Sequence, residues 1–307
     1  MAAGIATETR LGHLPVPLCG LAGRGPLQFP LYLRTTAETL VLYRDTNAQI
    51  AEDQLERLFQ EGVRELYIRP TDRGVYLHRV EVGLAEILND KRASVERRAD
   101  VLHGVAAMVA DEVLSQRLDR DGLQRVQRML VGASSLVLRE KGAFGALRGM
   151  LGASQSLSQH SVSVSFLTMG LARQVMGADP TTMVHAGLGG MFHDIGRVGN
   201  EDLDHDPDHT ERGYQTLRQL GLPVEVAQVA LSHHERWDGT GFPQMLRGQA
   251  IPAMARLVGL VDVFDEVYST QKTPVGVFDA LRILAEAYRG CFEDGIAIQF
   301  VKLFRQG

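Results

Sequence analysis

The spacing of hydrophobic positions changes along the chain and divides it. Short β-type runs come first: Leu31-Tyr32-Leu33, Leu40-Val41-Leu42-Tyr43, Leu66-Tyr67-Ile68 and Val75-Tyr76-Leu77. Each is flanked by polar or turn residues, which predicts strands. Between the second and third runs, Leu55, Leu58, Phe59 and Val63 fall on one face of a predicted helix. The first 25 residues are rich in Gly, Pro and Ala, show no period, and read as a flexible lead-in. From about residue 82 onward only helical spacing remains. Leu102, Val105, Val109 and Val113 mark one amphipathic helix, and Val126, Met129, Leu130 and Leu136 another. Gly142, Gly145, Gly149 and Gly152 then interrupt the pattern, and Ser, Gly and Gln crowd residues 152–159. The expected architecture is α+β overall. A small N-terminal α/β module (1–92) leads through a helical connector (93–150) into an all-α helical-bundle domain (151–307).

Composition narrows the function classes. At 307 residues the chain is long enough for two domains, and 45% hydrophobic with 22% charged residues is ordinary globular usage. A net charge of −5 argues against a nucleic-acid polymer as partner, although a small phosphate ligand needs only a few cations. The cysteines Cys19 and Cys291 cannot form a disulfide framework, so a reducing, cytoplasmic setting is expected. No membrane span is expected, because the apolar run from Val162 to Ala172 is broken by Ser163, Ser165 and Thr168. The N-terminus shows no secretory-signal pattern.

Histidine changes the picture most. Of ten histidines, seven lie between His160 and His234: His160, His185, His193, His205, His209, His233 and His234. Imidazole is the commonest metal ligand, and carboxylates complete such sites. His193-Asp194 ends an apolar helical run from Val184 to Phe192, and His233-His234 ends the helix expected after Pro223. Adjacent helical side chains diverge by about 100°, so a pair can serve one ion only near a helix end. Gly239 and Gly241 supply the irregularity there. Asp262 sits in an otherwise apolar helical stretch, and a buried Asp needs a cation. By contrast, Asp204, Asp206 and Asp208 lack the Gly and Glu of a calcium loop and read as a solvated acidic loop. Gly187, Gly189 and Gly190 have no preceding strand, so close helix packing accounts for them better than a phosphate cradle. Trp237 reads as core or site wall.

Three stretches now stand out together. His193-Asp194-Ile195-Gly196-Arg197, His233-His234-Glu235-Arg236-Trp237-Asp238-Gly239-Thr240-Gly241-Phe242-Pro243, and Arg256-Leu257-Val258 leading to Asp262-Val263-Phe264-Asp265 resemble the HD-GYP domain. That family of bacterial cyclic di-GMP phosphodiesterases is a subgroup of the metal-dependent HD hydrolases. The resemblance covers roughly residues 150–300. It implies an HD-type fold and seven metal ligands. Asp194 would bridge two divalent ions, one also held by His160, His193 and Asp262, the other by His209, His233 and His234. His209 is preferred over its rival His205, because His209 and Gly213 match the family's His-Pro-x-x-Gly pattern with Thr210 in place of Pro. The resemblance favours iron or manganese, and the ligand types also suit zinc or nickel. The implied reaction opens cyclic di-GMP to pGpG, and onward to GMP, through a metal-bridging hydroxide. Asp194 and Arg197 are the implied catalytic residues, and Arg197, Phe242 and Lys272 would meet the substrate. The N-terminal strands bearing Tyr32, Tyr43 and Tyr67 are similar to a small module found upstream of such domains, where a regulatory or protein-binding role is the expectation.

Departures from the family pattern shape the expectation further. Ser156 stands where some members have an acidic third-metal ligand, so two metals are expected. Arg197 stands where Lys is usual and keeps the charge with a different reach. Phe242 replaces the signature Tyr and removes a hydroxyl. Gln271 and Pro274 occupy usually basic positions, leaving Lys272 as the nearest cation. Only 15 residues separate His193 from His209, so a more open site is expected. These departures leave an alternative: a metal-loaded, slow or inactive domain that works as a cyclic di-GMP-binding or protein-binding adaptor. A hydrolase of another phosphoester also fits the ligands, since metals do not set substrate choice.

Overall fold

The computed structural model describes residues 7–9, 12–21, 25–36, 39–91, 93–115, 118–149, 156–199, 206–269 and 276–305. The chain forms two compact units, Met1–Val105 and Ala106–Gly307.

In the first unit, β1 (Thr7–Thr9), β2 (Leu14–Pro17), β3 (Leu31–Arg34), β4 (Thr39–Arg44) and β5 (Glu65–Ile68) build a five-stranded sheet in the order β1-β4-β3-β5-β2. All its pairings are antiparallel. The expected helix between β4 and β5 is α1 (Glu52–Gln60). It buries Leu55 and Leu58, whereas Phe59 is 46% exposed and lies under the Arg64 guanidinium, 3.9 Å from ring centroid to Cζ. Gly62, at φ +87°, ends it: the Gly62 and Val63 amides donate to the Phe59 and Leu58 carbonyls. Val63 therefore lies beyond the helix.

Two expectations for this unit are corrected. The first 25 residues are not a plain lead-in, because β1 and β2 form the two sheet edges and a 3-10 turn follows at Leu18–Leu21. Pro15 and Pro17 hide β2 from a periodicity reading, yet an edge strand tolerates proline because it needs only one row of partners. Val75-Tyr76-Leu77 is helix, not strand. It lies in α2 (Arg73–Asn89), whose buried residues Tyr76, Leu77, Val80, Leu84 and Leu88 recur at helical spacing while Val75 is exposed. The longer period outweighs the local β preference of three residues.

The division between units falls inside α3 (Val95–Leu114). Compactness thus draws one boundary rather than the expected pair near residues 92 and 150. The physical reason is α4 (Arg120–Arg139), expected as connector, which packs on α7 (Pro180–Phe192): Leu130 lies against Gly187, and Ser134 meets Met183. The second unit continues with α5 (Ala143–Gly149), α6 (Leu157–Val175), α8 (His209–Gln219), α9 (Val224–Ser232), α10 (Ala253–Ser269), α11 (Val277–Ala287) and α12 (Asp294–Leu303). Ser156 caps α6 by accepting from the Gln159 amide, and Asp179 caps α7 by accepting from the Thr182 amide. Helix α10 is buried on almost every side, with Leu257, Val258, Val261 and Phe264 packed among Leu167, Leu171, Leu284 and Phe300. Its apolar sequence follows from that central position.

The approach of α6 to α7 is set by glycine. A Cβ on Gly190 would lie 2.8 Å from the Ser165 Cα and 2.9 Å from its amide nitrogen, both backbone atoms that cannot rotate away. We expect Gly190→Ala to destabilise the second unit by about 1–3 kcal/mol, the usual cost of overpacking. A denaturant midpoint equal to that of the unmodified chain would contradict this close-approach account.

Candidate metal centre

Helix ends and one helix interior deliver the histidines and acids to a common point. α7 stops at Phe192, so His193 is its C-cap and Asp194 begins the 3-10 turn Ile195–Arg197. His209 opens α8, and His233 caps α9 with His234 following. His160 lies in the first turn of α6, and Asp262 in the middle of α10. Only glycine fits at Gly196, where a Cβ would fall 2.0 Å from the His209 carbonyl oxygen. The turn after Asp194 can therefore press against the start of α8.

The ring nitrogens sort cleanly. The Nδ1 groups of His193 and His233 are 2.8 Å from the Gly190 carbonyl and 3.0 Å from the Ala230 carbonyl. His209 Nδ1 donates to the Asp206 carbonyl, and His160 Nδ1 lies 2.8 Å from Asp265 Oδ2. A carbonyl accepts only from N–H, so these partners place a hydrogen on Nδ1 of His193, His209 and His233 and make Nε2 the atom that takes up either a proton or a cation. Those nitrogens face acids. His209 and His233 Nε2 are 3.2 and 3.5 Å from Asp194 Oδ1, whereas His193 Nε2 is 3.8 Å from Asp194 Oδ2. On the other side, His160 and His193 Nε2 are 3.1 and 3.5 Å from Asp262 Oδ1 and 3.2 Å from each other. Two sets of ligand atoms each converge closely enough for one ion: Asp194 with His209, His233 and His234, and Asp194 with His160 and His193.

This arrangement fits metal cations on physical grounds. Two ligands each about 2.1 Å from one ion lie about 3.0–3.4 Å apart at octahedral or tetrahedral angles, which is close to most of the separations found. The buried atoms Asp194 Oδ1, His209 Nε2, His233 Nε2 and His234 Nε2 make no well-directed hydrogen bond, and the only cation beside them among the described residues is Arg197, ion-paired to Asp194 Oδ1 at 2.9 Å. Unpartnered buried polar atoms are costly, and four converging on one point ask for a cation. Burial alone would push the Asp194 carboxyl up, but His193, His209 and His233 outweigh it and hold it well below the usual carboxylate range. Burial is likewise outweighed at Asp262, which His160 and His193 hold low. At His234 burial wins, joined by the His233 charge, and the pKa falls to about 2. Its imidazole is therefore neutral, the form that ligates.

The structure brings together every ligand position expected from the sequence. His205, Gln271, Lys272 and Pro274 lie outside the described residues. His185 stands apart, 3.3 Å from Glu225. Ser156 commits its hydroxyl to the α6 cap. Phe242 stacks on His234, with ring centroids 4.6 Å apart at 28°. Arg197 Nε lies 2.9 Å from Asp194 Oδ1. Sequence reasoning missed Asp265, whose buried carboxylate turns His160 so that Nε2 faces inward. Its position three residues after Asp262 on one helix was the available signal. It also missed Glu235, a buried acid whose two oxygens accept from the Gln244 and Leu246 amides.

Comparison with known proteins agrees with this geometry. Residues 186–291 match the model of the HD domain family. That stretch of the chain is similar to an HD domain. A cyclic di-GMP phosphodiesterase of Pseudomonas aeruginosa is 29% identical, aligning 96% of this chain with 75% of its own length. A cyclic di-GMP phosphodiesterase of Thermotoga maritima is 27% identical over 48% of this chain and 45% of its own, so the chain spans under half of that relative. Among solved structures, a HDG"Y"P protein from Bdellovibrio bacteriovorus superposes with a TM-score of 0.71 at 19% identity, over 95% of this chain and 99% of that one. That likeness shows a shared fold. The matched stretch carries the paired His193-Asp194 within the candidate ligand cluster, and none of the described helices is long and apolar enough to cross a membrane.

Outer partners of metal-bound histidines fix ring orientation and raise basicity. Asp265→Ala should therefore weaken metal affinity by about 10- to 100-fold, measured by chelator competition on the folded protein. Affinity equal to that of the unmodified chain would show that His160 is not oriented by Asp265.

Proposed function

We propose that the chain is a metal-dependent phosphodiesterase that opens cyclic di-GMP to linear pGpG, with further cleavage to GMP. The carrying observation is the Asp194 carboxylate, which presents Oδ1 to His209 and His233 and Oδ2 to His193. That is the arrangement a bridging ligand needs. The names of the relatives support the substrate class. Two ions would be held, one by His160, His193 and Asp262, the other by His209, His233 and His234, with Asp194 shared. Nitrogen and oxygen donors without thiolate suit iron or manganese, with zinc or nickel also accommodated. Divalent ions so placed supply Lewis acidity and a water of lowered pKa for attack on a phosphodiester.

The protein's own residues supply the rest. Arg197, 36% exposed and held beside Asp194, is positioned to meet a substrate phosphate at the rim. Phe242 keeps an aromatic wall against His234 without the hydroxyl of the family signature. Lys272 is retained in this reading as a further substrate cation. The cytoplasm is the proposed location, and the N-terminal sheet unit is proposed to receive a protein partner or signal. Retention of all the ligand positions favours turnover over the adaptor reading.

The test is direct. Purified, metal-saturated protein should contain about two transition-metal ions per chain and convert cyclic di-GMP to pGpG on chromatography. Asp194→Ala should lose both ions, and full occupancy in that variant would refute the bridge. Metal-loaded protein that leaves cyclic di-GMP intact would refute the function.

Phe242→Tyr gives a second readout. One lost transition-state donor costs about 100- to 1000-fold in rate, so restoring the hydroxyl should raise turnover at least several-fold with metal content unchanged. An unaltered rate would show that the ring, not a hydroxyl, is what this position supplies.

A further inference from the structure

Met245 combines three features. Its backbone lies in the left-handed region, at φ +53°. Its side chain is 71% exposed, the highest value among the large hydrophobics of the described residues. It also stands three positions after Phe242, whose ring stacks on the His234 imidazole. A non-glycine residue at positive φ is disfavoured by its own Cβ, and glycine or asparagine would suit the position better. Burial returns nothing for that cost, because the thioether lies in solvent. Strain kept in the loop that carries Phe242 points to a role for the side chain itself.

The conformation is imposed by Glu235, which is 4% exposed. Its Oε1 accepts from the Gln244 amide at 2.7 Å, and its Oε2 from the Leu246 amide at 2.8 Å. The carboxylate thus grips the chain on both sides of Met245 and turns the intervening side chain outward. The start of the same segment is tied to the metal centre: the Phe242 amide donates to the His234 carbonyl at 3.3 Å, and the Phe242 ring stacks on the His234 imidazole. Phe242 is itself 38% exposed. Two apolar side chains are therefore held three positions apart on a loop that hangs from a candidate metal ligand and its neighbour.

We propose that Met245, with the exposed face of Phe242, forms an apolar shelf on which a purine base of the cyclic dinucleotide rests while its phosphodiester lies at the metal centre. The inference rests on the function proposed above and adds where the base is held. A purine offers a flat face, for which an aromatic ring and a polarizable thioether are suited partners. The base contact would be made in ground and transition states alike, so it should appear in KM more than in kcat.

The experiment compares metal-loaded wild type with Met245→Gly, Met245→Asn and Met245→Leu, using cyclic di-GMP and a base-free diester, the cyclic dimer of 1-deoxyribose 5-phosphate, which carries no aromatic ring. Glycine and asparagine both suit positive φ, so neither should unfold the loop. The expected result is a rise of about tenfold in KM for cyclic di-GMP in both. Any loss on the base-free diester should be at least fivefold smaller, and Met245→Leu should recover most of the affinity. Equal losses on both substrates would assign Met245 a structural role and overturn the proposal. Wild-type-like KM in both polar and glycine variants would overturn it too, leaving the shelf to another partner such as a protein. Wild type without turnover of cyclic di-GMP would overturn the proposed function, and the base shelf with it.

Discussion

A carboxylate surrounded by imidazoles in a helical core must be compensated, and much of the second unit is arranged around that demand. Asp194 is the acid in question. Its two oxygens face histidines from three different helix ends, and burial deprives all of them of water. To deliver His193 and Asp194 there, α7 must stop at Phe192 and lie close against α6. Gly190 permits the approach, since any side chain would strike the Ser165 backbone. Gly196 does the same for the contact between the turn after Asp194 and α8. The small residues near the site are thus the steric condition for bringing the charges together.

The electrostatics of the cluster run opposite to those of an ordinary core. A core is stabilised by removing apolar area from water, whereas here acids and imidazoles are gathered at a net cost unless a cation joins them. Without a cation, Asp262 and Asp265 outweigh burial and raise His160 well above its usual pKa, drawing a proton onto it. Positive charge is required either way. A divalent ion meets the demand better than a proton, because several lone pairs can share it. The apolar mass of α10 around Asp262 then strengthens the attraction by excluding water.

How much of this was legible in the sequence depended on range. The clustered histidines and acids were readable as candidates because the His-Asp and His-His pairs sit at helix ends that composition marks, and because Asp262 interrupts an apolar run. The choice of His209 over His205 rested on a short motif; His209 Nε2 faces Asp194, and His205 lies outside the described residues. The sheet edges were not readable, since Pro15 and Pro17 conceal a strand whose existence depends on β5, some fifty residues away. Val75-Tyr76-Leu77 misled because three β-preferring residues outweigh a helix only when the window is short. The boundary within α3 was not readable either. Gly142 and its neighbours do interrupt the helices, but only a tertiary contact, Leu130 against Gly187, tells that α4 belongs with the helices of the metal centre.

Glu235 shows why sequence reading stops short of a site's working surface. Within the sequence it is one acid in a motif, next to two histidines that draw the attention. Its carboxylate is committed to two backbone amides, those of Gln244 and Leu246. What it does is shape the loop. By holding Gln244 and Leu246 it fixes the backbone between them, while Gly241 lets the chain fold back against His234 and Arg236 at distances that exclude a Cβ. The Trp237 amide is anchored to the Cys291 carbonyl, and the Arg256 guanidinium lies over the Trp237 ring while pairing with Glu293. The loop that carries Phe242 is therefore pre-set by contacts made before any ligand arrives, and the cost of ordering it is met in folding rather than in binding. A site with a rigid rim can then select by shape at its edge while leaving the charge chemistry to its centre.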